Sequence, residues 1–70
     1  MKSFRQVTSD ALKEAIKRSG RTKKQFEADI GFGNDCIYRL LRVGLSADTT
    51  ERVCRHLNMK HSDFMKLGEE

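Results

Sequence analysis

Proline is absent from the 70-residue chain, and so is any long apolar run. No stretch approaches the roughly 18 consecutive apolar residues a membrane-spanning helix needs. The opening segment MKSFRQVTSD is too polar and too mixed to read as a signal peptide. Cysteine is scarce as well: Cys36 and Cys54 stand alone, with no CxxC spacing. Cys54, His56 and His61 are the one group to weigh as metal ligands. Cys54 and His56 lie two apart on an expected helix, however, and that spacing sends them to different sides. Structural zinc sites use tight paired spacings. The expectation is therefore two buried thiols in a reducing cytoplasm, with no metal and no cofactor. Alternation of strand length is missing throughout, which leaves helices as the building material.

What the chain has in quantity is charge. Residues are 37% hydrophobic and 34% charged, a balance that suits short helices with polar outer faces. Seventy residues make one domain, 1–70, near the lower size at which a single core holds. The net charge of +4 is local. Lys17, Arg18, Arg21, Lys23, Lys24, Arg39 and Arg42 face only Glu27, Asp29 and Asp35 within Lys17–Arg42, an excess equal to that of the whole chain. The rest cancels. A basic zone on a domain of pI about 9.4 is the footprint expected for a polyanionic partner; a merely basic solvated surface is the plainer alternative.

Five helices are expected. The first, Thr8–Ser19, would be capped by Thr8 or Ser9, with Asp10 at its positive end. Leu12, Ala15, Ile16 and Ser19 would face inward, and Gly20 would stop it. The second opens with a capping box, Thr22-Lys23-Lys24-Gln25, and ends at Gly31. Phe26 and Ile30 form its inner edge, and Phe32 plugs the gap to the next helix. The third, about Asn34–Val43, turns Ile37, Leu40 and Leu41 inward and is stopped by Gly44. Ser46 caps a fourth helix, Ala47–Leu57, whose inner stripe is Ala47, Thr50, Val53, Cys54 and Leu57, with Asn58 as its stop. A short fifth helix, about His61–Leu67, carries Phe64, Met65 and Leu67.

The second and third helices, joined by a short glycine-containing turn, describe a helix-turn-helix, residues 22–43. Phe26, Ile30, Phe32, Ile37 and Leu40 supply its apolar contacts and Gly31 its turn. On these residues the chain resembles the Cro / lambda-repressor (Xre-type) family of DNA-binding proteins. The twenty-residue motif falls on Lys23–Arg42, and six of its seven diagnostic positions agree. With the helices before and after it, the likeness covers roughly residues 8–67. The departure is Glu27, where the family has a small residue because the two helices nearly touch. This glutamate is expected to tilt outward or to meet Arg39 or Arg42, with Ala28 partly taking over the close approach. The loop Arg42–Ser46 also lacks the family's frequent Asn-Pro.

The resemblance implies an all-α, five-helix, lambda-repressor-like domain that binds double-stranded DNA through the major groove. It assigns base reading to Asn34, Asp35, Tyr38 and Arg39, with Gly33 and Cys36 at the groove's edge. Asn, Arg and Asp also suit adenine, guanine and cytosine N4 by their own donor and acceptor patterns. Lys23 matches the family's phosphate-contacting position; Arg21, Thr22, Lys24 and Arg42 are phosphate candidates by charge and place. Each has a plainer role beside it. Asn34 and Asp35 are ordinary helix-start residues, Arg39 can pair with Asp35 at i, i+4, and Tyr38 can simply cover its helix.

One such domain reads only a few base pairs, so a homodimer on a palindromic operator is expected. Met59, Phe64, Met65 and Leu67 are candidate dimer-interface residues; folding that segment onto the monomer's own core is the alternative. The implied protein is a phage or bacterial Cro-like repressor in the cytoplasm, with no membrane partner and no small-molecule ligand. The competing reading is a helix-turn-helix that binds a protein, such as an antitoxin or a regulator-binding module. Catalysis is not expected, because neither cysteine has a well-placed histidine base or a sizeable pocket.

Overall fold

Ser3, not Thr8 or Ser9, begins the first helix. The computed structural model describes residues 2–32 and 36–69. In it α1 spans Phe4–Ser19, and the Ser3 hydroxyl accepts the Gln6 N–H at 3.2 Å. Thr8 and Ser9 lie buried inside the helix, where Val7 and Ala11 extend the expected stripe of Leu12, Ala15 and Ile16. Ser19, expected inward, is exposed.

A buried hydroxyl is costly unless it is bonded, and both find partners beyond their own turn. Thr8 Oγ1 donates to the Arg5 carbonyl and accepts the Leu45 N–H, each at 3.0 Å. Ser9 Oγ donates to the Leu41 carbonyl. Asp10, expected at the helix start, instead accepts from Lys2 Nζ at 2.9 Å and from Gln6 at 3.1 Å.

α2, Lys23–Ile30, starts on the expected capping box. Thr22 Oγ1 accepts the Gln25 N–H at 3.1 Å, and Gln25 Oε1 accepts the Thr22 N–H at 3.0 Å. Gly31 ends it in the left-handed region, φ +87°. The N–H groups of Gly31 and Phe32 both reach the Glu27 carbonyl at 3.1 Å, which satisfies an otherwise free acceptor of the last turn. Phe32 is half-buried against the core, with the Arg52 guanidinium 5.2 Å from its ring centre.

α3, Cys36–Val43, buries Ile37 and Leu41 and half-buries Leu40. α4, Ala47–Leu57, has the expected Ser46 cap and the left-handed Asn58 stop. Thr50, Val53 and Cys54 are buried; Ala47 is exposed, contrary to expectation. α5, His61–Glu69, runs beyond the expected Leu67.

The described residues thus form an all-α unit of five helices without a strand. Its radius of gyration, 10.8 Å, is close to the roughly 11 Å expected of a folded chain this long. α1 is the central element, packed most extensively on α5 and next on α3. Two glycines permit these approaches. At Gly44 (φ +89°) a Cβ would lie 2.4 Å from the Arg5 carbonyl oxygen, and at Gly68 it would lie 2.0 Å from that of Val7. Phe26, Ile37, Leu45, Val53 and Phe64 fill the centre. Phe64, a candidate interface residue by sequence, is fully buried in this core, as the alternative reading of its segment has it. No described helix is long and apolar enough to cross a membrane.

Candidate nucleic-acid interface

α3 is two turns long, and an isolated helix of that length is unstable in water. Its position therefore depends on neighbours at both ends. At the tail, Ser9 bonds the Leu41 carbonyl, and Gly44 closes on α1. At the start, Glu27 Oε2 accepts the Ile37 N–H at 2.9 Å. Glu27 is 5% exposed, so it neither tilts into solvent nor forms an ion pair among the described residues. The expected contact with Arg39 or Arg42 is replaced by this backbone bond. A carboxylate at the positive end of a helix is a favourable partner, which explains why the position tolerates burial of an acid. Ala28 is exposed and takes no part in the close approach.

Held this way, α3 turns Tyr38, Arg39 and Arg42 outward. Tyr38 is 43% exposed. Lys23 Nζ, from the first residue of α2, lies 5.7 Å from its ring centre. The expected phosphate position and an expected base-reading position thus meet through a cation–π contact, of order 0.5–1 kcal/mol at an exposed site. Arg39 and Arg42 are exposed and form no ion pair among the described residues. Cys36 is half-buried at the start of the helix. Gly33, Asn34 and Asp35 lie outside the described residues.

The α2 side is mixed. Thr22 is committed to the capping box, while Lys23 and Lys24 are exposed. Arg21 binds Asp29 at 2.9 Å in a solvent-facing ion pair, which offsets part of its charge but is weak and open to exchange.

On the opposite flank of α3 a cleft of about 300 Å³ is lined by Arg5, Cys36, Arg39, Val43, Ser46 and Thr49 among others. Arg5 thus adds a second guanidinium beside Arg39. The sequence reading starts the first helix at Thr8 and so misses Arg5; only Ser3, three residues before Gln6, signals the earlier start.

A second, nearly apolar groove of about 310 Å³ is lined by Ala15, Arg18, Ser19, Leu57, Met59 and Leu67. Two of the expected dimer residues, Met59 and Leu67, line it. Met65 is half-buried against the core. Among the described residues no three His, Cys, Asp or Glu side chains gather as metal ligands.

No family model, curated protein or solved structure matches the chain.

Proposed function

We propose that the chain is a sequence-specific regulator that binds double-stranded DNA by inserting α3 into the major groove, as a homodimer on a palindromic site. One observation carries the reading: a short helix, braced at both ends by buried polar bonds, presents Tyr38, Arg39 and Arg42 outward beside Lys23. A groove about 12 Å wide admits such a helix. The lambda-repressor-like spacing of the apolar positions around Gly31, and the confinement of the net charge to this region, support the same conclusion.

In this arrangement Arg39 donates to a guanine edge and Tyr38 packs against the bases, while Lys23, Lys24, Arg21 and Arg42 engage phosphates. Arg5, lining the cleft on the α3 flank with Arg39, adds a further cation to this face. Binding supplies no chemistry; the effect is occupancy of an operator.

Selection from random duplexes tests the proposal, with a palindromic consensus expected. Affinity should fall steeply with salt, because neutralising phosphates releases counterions. Arg39→Ala should relax preference at one base position, whereas Lys23→Ala should weaken all duplexes alike and lower the salt slope by about one. Absence of duplex binding at low salt, alongside salt-independent capture of a protein, would favour the protein-binding alternative.

A further inference from the structure

The geometry points to Glu27 as a positioning residue for base discrimination, acting through the backbone of α3; this rests on the DNA-binding reading above. Three observations converge on this side chain. It is almost fully buried. Its carboxylate accepts the Ile37 N–H, in the first turn of α3, at 2.9 Å. Its own carbonyl receives the Gly31 and Phe32 N–H groups that end α2. One residue therefore closes one helix with its backbone and opens the next with its side chain.

Tyr38 and Arg39 follow Ile37 directly, so the bond fixes the backbone from which both side chains project. Lys23, Lys24 and Thr22 sit on the far end of α2, and Arg42 sits at the tail of α3 beside the Ser9 bond, so none of these phosphate candidates uses it directly. Loss of the carboxylate should then separate two quantities that a general loss of stability would change together. Discrimination among sequences should fall, while the phosphate contribution stays. A buried N–H stripped of its acceptor loses its compensation for leaving water, so the start of α3 should fray.

The experiment compares wild type with Glu27→Ala and Glu27→Gln. Three readouts are the affinity ratio for selected over scrambled duplex, the salt slope, and amide hydrogen exchange at Ile37. Glutamine keeps the length and an acceptor oxygen. Glu27→Ala is expected to lower the ratio about tenfold, the factor for one unmet buried donor, with the salt slope unchanged. Ile37 should lose at least about tenfold in protection while α4 amides keep theirs. Glu27→Gln should restore both readouts to within about threefold.

An unchanged ratio in Glu27→Ala, an unchanged Ile37 amide, or failure of glutamine to rescue overturns the assignment. So does collapse of every variant to an unfolded chain, which would make Glu27 a requirement of the whole fold. Should wild type bind no duplex, the DNA reading fails. The Ile37 amide still reports whether Glu27 holds α3.

Discussion

Replacing Gly68 by alanine sets two effects of opposite sign against each other. Alanine favours a helix over glycine by up to about 1 kcal/mol, so on an open helix the change would stabilise. Here the new methyl would stand 2.0 Å from the Val7 carbonyl oxygen, 2.9 Å from its carbon and 3.0 Å from the Ala11 nitrogen. All three are backbone atoms of α1, and none can rotate away. Ordinary contact begins near 3.4 Å, so α5 must retreat by more than 1 Å along that line. A gap of 0.5–1 Å already forfeits about a quarter to a half of each dispersion contact it opens.

Overpacking of this kind costs about 1–3 kcal/mol, and the pairing disturbed is the most extensive in the molecule. Propensity gains are small near a helix end, so the expected balance is a loss of about 2 kcal/mol. For a domain of this size the melting temperature should fall by roughly 8–16 °C. Thermal and urea unfolding followed by circular dichroism measure it, with Lys66→Ala, an exposed site on the same helix, as the propensity control. A Gly68→Ala protein that melts at or above the wild-type temperature would refute the packing of α5 on α1.

Other outcomes follow from single contacts. Thr8→Val keeps the side-chain volume but leaves the buried Leu45 N–H without its acceptor; a loss of about 1–3 kcal/mol in urea unfolding is expected, and a neutral result would remove that bond from the fold. The Lys2 hydrogen bond first, and the Gln6 bond second, hold the Asp10 carboxyl below the ordinary carboxylate value. Its contribution is therefore full above that ordinary value and is lost as pH falls through the lowered one, so Asp10→Asn should flatten the acid limb of a stability–pH profile there. Burial, and next the charge of Glu51, raise the Cys54 thiol. At pH about 8 a thiol reagent should label half-buried Cys36 first and reach Cys54 only as the chain opens, as mass spectrometry would register; equal labelling would contradict the burial.

The elements easiest to read from sequence were those whose signals are local. The Thr22 capping box, the Gly31 and Asn58 stops and the Ser46 cap all act within a turn, and each stands where its residues imply. α1 was misjudged because Thr8 and Ser9 carry the composition of a cap, while their hydroxyls serve partners more than thirty residues away. Glu27 was misread for a related reason: a carboxylate suggests a cation, yet its partner is a backbone N–H, which leaves no trace in residue identity. Nothing local to Gly68 says that another backbone passes 2.0 Å from where a Cβ would be, so its role is visible only in the fold. At the candidate interface, the resemblance singles out Tyr38 and Arg39, and charge and place single out Arg42; all three are exposed on α3. Arg5 did not, because only the tertiary fold brings the first turn of α1 beside α3.

The pairing of α1 with α5 also sets the order of events during synthesis. Lys2 Nζ reaches the Gly68 carbonyl at 2.9 Å across 66 positions, so α1 has its main partner in a helix that is made only after all the residues between them. A ribosome must release nearly all of these residues before the first helix can settle. Until then its apolar stripe is open to chaperones, and a premature stop codon before His61 would leave that stripe uncovered for good.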